Sequence, residues 1–414
     1  MVEAVVPGVP TTWEQTTLVE ICERGGGNIQ TGPFGSQLHA SDYVSVGVPS
    51  VMPQDIGDNV IREDFIARIT VEDSLRLSRY LLEVGDIVYS RRGDVGRRAL
   101  VRPDQQGWLC GTGCLRIRPG NEINSAYLSY YLGHPSVRQW IKQHAVGATM
   151  PNLNTKIIGA VPVVVPPQGE QDSIAAALGA LDDKIAINER IAVTYEQLLQ
   201  AQIELMGVEV DPDPESAAPV TEFVHFSPKV AKAPSVAVYV DMAALSTHRA
   251  GISAWSRREP KGGTRFMNGD TLLARITPCL ENGKTGYVDF MEDGEIGVGS
   301  TEFIVMRSVQ GVPPEFSYFL ARSKRFREHM IRNMIGSSGR QRVAAAEAAN
   351  FYIKHPDRKM LAEFGETASN IFAHMRSLDR ECRMLTTLRD TLLPQLMSGK
   401  LRVRDAEKIV EDAV

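Results

Sequence analysis

Arginines dominate the residues of this chain whose types and spacing could do chemistry. Arg91, Arg92, Arg97, Arg98 and Arg102 fall within a dozen positions, and Lys324, Arg325, Arg327 and Arg332 gather again later. A guanidinium stays charged and offers five N–H donors in a planar fork, so such groups suit phosphates and the acceptor edges of bases. Solvated surface charge is the alternative for any single one. The formal net charge of −5 makes any basic face a local one, because a chain whose whole surface held nucleic acid would carry the opposite balance.

Catalytic constellations are missing from the sequence. No GxxxxGK[ST] phosphate loop, HExxH or GxSxG occurs, and the eight histidines are scattered without metal-ligand spacing. The two Pro-Pro segments, VPPQG and VPPEF, lack the preceding Asn or Asp that an amino-group methyltransferase would need. Gly25 to Gly27 read as a turn. The five cysteines, Cys22, Cys110, Cys114, Cys279 and Cys382, are odd in number and lack zinc spacing, so they read as buried thiols. The chain is expected to bind rather than catalyse, with no metal site.

Two long helical seams must position those arginines. Between Gln171 and Met206, the residues Ile174, Leu178, Leu181, Ile185, Asn188, Ala192, Tyr195 and Leu199 recur at alternating spacings of four and three. Gly207, Pro212 and Pro214 stop the pattern. Such a helix is about 50 Å long at about 1.5 Å per residue, more than one small domain needs. The pattern returns at Leu361, Phe364, Ala368, Ile371, Met375, Leu378, Cys382 and Leu385, with Leu392 and Leu396 extending it and Pro394 expected to kink the last turn. Two seams in one chain are expected to pair, with Leu178, Leu181, Ile185, Ile371, Met375, Leu378 and Leu385 as packing. Asn188 is either a polar register pin or a solvated edge position.

At 414 residues, 43% hydrophobic and 23% charged, the chain has the composition of a soluble protein of two or three domains. No apolar run reaches the roughly 20 residues of a membrane span, and the first residues do not form a signal peptide, so a cytoplasmic location is expected. Short β-rich runs such as DIVYS and CLRIRP alternate with turns and helices, which is an α+β pattern. The pattern also repeats. Gly85 and Asp86 match Gly269 and Asp270, Ser129, Tyr130 and Leu132 match Ser317, Tyr318 and Leu320, and Gly147 and Pro167 match Gly336 and Pro356. The expected organisation is a first globular domain over 1–168, a helix over 169–207, a Pro-rich linker over 208–235, a second domain over 236–357, and a second helix with tail over 358–414. Arranged about a pseudo-two-fold axis, the two helices run antiparallel and hold two similar readers, a symmetry that double-stranded DNA shares.

The runs IQTGPFGSQLHASDYVSVGVPSVMPQDIG and GDIVYSRRG, the boundary GATMPNLNTKIIGAVPVVVPPQGEQDSIAAALGALDDKIAINERI, and the closing LRDTLLPQLMSGKLRV resemble the specificity subunit of type I restriction-modification systems. The resemblance covers nearly the whole chain. It implies two target-recognition domains, each reading half of a split, asymmetric DNA sequence, with the paired helices as a ruler. It further implies two modification subunits that bring S-adenosylmethionine and methylate adenine, and restriction subunits with ATP-dependent translocase activity. S-adenosylmethionine, ATP and magnesium are then expected on those partners and no cofactor on this chain. A modification-only system, a chain that is itself the methyltransferase or nuclease, and a coiled-coil adapter that never touches DNA are the alternatives. The second copy departs from the pattern: it lacks TGPFGS, and HPDRKM replaces PPQGEQ.

The resemblance places DNA contacts in the first copy on Ser36, Gln37, Arg91, Arg92, Thr149, Asn152 and Asn154. In the second copy Arg275, Lys284, Ser338, Arg340, Gln341 and Arg342 occupy comparable places. Ser36 and Gln37 also suit an ordinary loop after a Gly-Pro turn. Thr149, Asn152 and Asn154 also suit turns and helix caps.

Overall fold

The computed structural model describes residues 4–63, 66–147, 152–252, 254–337 and 339–414. They form two compact units, one of residues 1–185 with 384–414 and one of residues 186–383. Thr149 and Ser338 lie outside the described residues.

In the first unit, a five-stranded sheet has the order Asn28–Thr31, Cys114–Arg118, Ile87–Ser90, Arg98–Leu100, Asp58–Asn59. A four-stranded sheet runs Tyr43–Val44, Ala67–Ile69, Val48–Val51, Leu109–Cys110, and Glu14–Thr17 pairs antiparallel with Pro162–Val165. The strand Ile87–Ser90 is buried throughout, which is why it reads as a continuous apolar run rather than an alternating one. The helices Ser125–Gly133 and Pro135–His144 add Tyr127, Leu128, Tyr131, Val137 and Ile141 to the core.

The second unit repeats the central strand order of the larger sheet. Val224–Phe226, Phe303–Ser308, Asp270–Ala274 and Thr285–Tyr287 form one sheet, Ser256–Arg258, Ala237–Val240, Gly297–Gly299 and Thr264–Phe266 another, and Ala217–Pro219 pairs with Tyr352–Lys354. The stretch 208–235, expected to be a linker, is therefore part of this unit. Its strands Ala217–Pro219 and Val224–Phe226 belong to that unit, and Val220, Phe223 and Val224 are buried, while most of the Pro and Asp residues that mimic a linker flank these strands. The repeated Gly-Asp pair opens a strand in both units. Gly85 and Gly269 turn at φ +88° and +86°, a left-handed region that a side chain disfavours. Asp86 and Asp270 then accept the backbone N–H of Glu83 at 2.8 Å and of Met267 at 2.7 Å.

The first long helix, Gln168–Leu205, starts after two prolines, which suit a helix N-terminus because their missing N–H would have no partner there. It stops before Gly207, at φ +86°. The second, Arg358–Met397, continues through Pro394, so the proline does not end it. Each helix contributes to both units. In the first unit Ile174, Leu178 and Leu181 share a buried cluster with Leu385, Leu392 and Leu396, and Ile185 packs on its edge. In the second, Ala192, Leu199 and Ile203 join Leu361, Phe364, Ala368, Phe372 and Met375, with Ile371 at the margin. Asn188 is buried and donates to Glu381 at 2.9 Å, and Tyr195 meets His374 at 3.0 Å, so the helices run antiparallel here. Leu378 is buried as well. No helix is long and apolar enough to cross a membrane among the described residues.

Candidate nucleic-acid interface

Each unit gathers polar side chains where the chain leaves a buried strand. In the first unit, Arg91 follows Ile87–Ser90. Its Nε donates to Asn152 Oδ1 at 3.2 Å and to the Leu153 carbonyl at 2.9 Å, and the Leu153 N–H returns to the Arg91 carbonyl at 2.9 Å. Asn152 also bridges to Arg92 and Val146, so segments distant in sequence meet at one exposed corner. Arg92 is exposed there. Asn154 serves the scaffold instead, where its Oδ1 caps the helix Thr155–Gly159 by accepting the Ile157 N–H at 2.8 Å.

The Gly-Pro-Phe-Gly turn reaches this corner through Phe34, whose ring lies 5.9 Å from the Arg91 guanidinium and is 55% exposed. Gln37 holds that turn from behind. Its Oε1 accepts from the Phe34 N–H at 3.1 Å and the Tyr80 hydroxyl at 2.9 Å. Ser36 is exposed, whereas the amide of Gln37 is engaged within the protein.

The second unit reproduces the backbone with different side chains. Arg275 stands where Arg91 does: the Val343 N–H donates to its carbonyl at 3.0 Å, as Leu153 does to Arg91. Arg342 stands where Asn152 does, bridging Ile276 and Ile335. Glu302 lies between the two arginines. Arg342 Nε and Nη2 grip its carboxylate at 2.8 to 2.9 Å, and Arg275 Nε is 3.8 Å away. Hydrogen bonding from Arg342 holds the Glu302 carboxyl below its ordinary range and raises Arg342 in turn, so both stay charged. Arg340 is exposed with no ion pair among the described residues. Gln341 is tied by its backbone to Thr277 Oγ1 at 3.1 Å. The Lys284 ammonium donates to the Met242 carbonyl at 2.9 Å.

Glu302 gives no sign of itself in the sequence, because a carboxylate next to a strand carries no periodic or spacing signal. Two further polar networks are hidden for the same reason. In the first unit Tyr130 donates to Asp182 at 2.7 Å, and Arg389 joins Asp182 at 2.7 Å to Asp58 at 3.0 Å. Burial, then the Asp182 charge, push the Tyr130 phenol far up, so it remains a donor. In the second, Glu196 accepts from Tyr318 at 2.8 Å and the Ala250 N–H at 2.7 Å, and Arg249 reaches Asp379 at 3.1 Å. Each network ties the globular part of its unit to the long helices.

Cys110 and Cys114 are buried, and burial pushes the Cys110 thiol up to about 12. No group of three His, Cys, Asp or Glu side chains poised for a metal occurs among the described residues.

A family model described as the type I restriction modification DNA specificity domain matches residues 10–197. The chain is similar to the specificity subunit of the Escherichia coli type I restriction enzyme EcoEI, with 27% identity over 180 residues, 42% of this chain and 30% of that protein. The EcoAI specificity subunit of E. coli is 36% identical over 112 residues, 25% of this chain and 18% of that protein. These matches span less than a third of either relative. The MjaIX specificity subunit of Methanocaldococcus jannaschii aligns over 96% of this chain and 95% of its own length at 20% identity. In fold, the chain resembles the crystal structure of the S subunit of a type I restriction-modification system from M. genitalium, with a TM-score of 0.51 at 15% identity, covering 93% of this chain and 96% of that one.

Proposed function

We propose that this chain, whose residues 10–197 match the type I restriction modification DNA specificity domain, is the noncatalytic subunit that reads a split, asymmetric sequence in double-stranded DNA. The observation that carries this reading is the duplicated corner: Arg91 with Asn152 in one unit, Arg275 with Arg342 in the other, on the same backbone but with different side chains. Equivalent scaffolds bearing unlike donors suit two unlike half-sites.

The long helices would dock two modification subunits. Ile187, Leu198 and Leu205 are 53%, 47% and 78% exposed on the part of the first helix that belongs to the second unit, an outward apolar series that a partner would cover. S-adenosylmethionine would be bound by those partners, and ATP and magnesium by restriction subunits joining them, in the cytoplasm where their DNA lies.

The test is long-read methylation mapping of DNA from cells expressing this chain with a cognate modification subunit, against cells lacking the chain. A split motif with adenine methylated on both strands, lost on deletion, is expected. An assembled, active modification subunit that shows no chain-dependent motif would mean an adapter instead.

A further inference from the structure

We infer that Arg342 reads a guanine in the half-site recognised by the second unit, and that Glu302 aims it. The inference rests on the DNA-reading function proposed above and adds the base, the residue and its support. Arg342 has an immobilised backbone: its N–H and carbonyl both pair with Ile335 at 2.9 Å, and the next residue pairs with Arg275 at 3.0 Å. Its side chain is held as firmly, because Nε and Nη2 close on the Glu302 carboxylate at 2.8 to 2.9 Å. Nη1 also points one N–H at the Arg340 carbonyl, at 3.4 Å.

Of the five guanidinium N–H groups these contacts engage three, the one on Nε and one on each terminal nitrogen. One N–H on each terminal nitrogen remains for a ligand, on a side chain that is 42% exposed. Two parallel donors at that spacing match the O6 and N7 acceptors that guanine presents in the major groove. A guanidinium fixed before binding loses little rotamer freedom on contact, which sharpens discrimination beyond what a free surface arginine gives.

The fold itself does not require the carboxylate. The backbone position of Glu302, whose carbonyl accepts the Arg275 N–H at 3.0 Å, is taken in the first unit by Gly113, whose carbonyl accepts the Arg91 N–H at 2.9 Å. Glycine has no side chain to offer, and Asn152 stands there in place of Arg342. The Glu–Arg pair is therefore particular to the second unit. An exposed ion pair contributes little to stability, so stability alone gives a weak account of it.

The experiment uses the full chain assembled with its modification subunits and duplexes carrying the mapped motif. Each guanine of the second half-site is replaced in turn by 7-deazaguanine, which lacks the N7 acceptor. One such replacement is expected to weaken wild-type binding about 5- to 100-fold, and to have no effect on Arg342→Ala. Arg342→Lys keeps the charge but loses the fork, so its salt dependence should match wild type while its preference for that guanine is lost. Glu302→Ala should lower the preference and spare overall affinity. Retained discrimination at the first half-site shows that each variant folds and assembles.

If Arg342→Ala weakens binding equally for every sequence and lowers the salt slope by about one, the residue contacts phosphate and the inference fails. It fails also if no guanine in that half-site responds. A wild-type complex that binds no sequence preferentially would instead sink the DNA-reading function itself.

Discussion

Asp270 accepts both arms of Arg307, at 2.6 and 2.7 Å, with its carboxylate fully buried and the Met267 N–H closing on it from the turn. Asp86 and Arg118 make the same pair in the first unit, both contacts at 2.8 Å. In each unit the pair joins two neighbouring strands of the central sheet at the end opposite the arginine corner.

Removing one partner of such a pair leaves an uncompensated charge. Asp270→Ala should lower the stability of the second unit by about 3 to 5 kcal/mol. Urea unfolding followed by hydrogen exchange of the strand Asp270–Ala274 measures it, and protection equal to wild type would refute the role given to the pair.

Arg389→Met tests the joint of the first unit. Asp182 and Asp58 lose a shared cation, and Asp182 is only 5% exposed in its side chain. A loss of about 3 kcal/mol is expected, appearing first as faster exchange in residues 174–185. Unchanged exchange there would show that hydrophobic packing alone holds the joint.

The pH dependence of the second unit should turn on Asp289. Burial raises its carboxyl to about 6, against the pull of Arg376. Between about pH 4 and 6 the folded unit keeps a proton that the unfolded chain has released, so stability falls as pH rises through that window, by at most about 3 kcal/mol. Asp289→Asn should therefore flatten this part of the profile and stabilise the unit above pH 6. Parallel stability curves for the two proteins between pH 4 and 7 would argue against it.

Arg92→Ala and Asn154→Ala should separate contact from scaffold. Loss of the exposed arginine should weaken DNA binding about uniformly across sequences and reduce the salt slope by about one, with melting unchanged. Loss of the Asn154 cap should cost about 1 kcal/mol of stability. Its DNA affinity should hold once the protein is kept folded. Reversal of the two patterns would exchange their roles.

What is legible in the sequence follows its periodicities. The seams from Ile174 and from Leu361 are visible because helical packing repeats every three or four residues, and Gly-Asp is visible because a left-handed turn and a carboxylate acceptor are needed together. The strand Val224–Phe226 is hidden because three residues show too little alternation, and the prolines around it imitate a linker. At the corner, Arg91 and Asn152 are 61 residues apart, and Glu302 and Arg342 are 40 apart. Tertiary pairing brings such residues together, and no local pattern records it. The Lys284 contact with the Met242 carbonyl is hidden on the same ground.

The division of the chain imposes an order on its synthesis. Residues 186–383 form one unbroken stretch and contain everything the second unit packs, including its share of both helices. The first unit begins earlier but needs residues 384–414 as well. On the ribosome, the unit that starts later can close first, while Ile174, Leu178 and Leu181 wait for Leu385, Leu392 and Leu396 to emerge. During that interval the nascent protein presents an uncovered leucine-rich seam, which makes the first half of the chain, rather than the second, the natural client of a chaperone or of an early-binding partner.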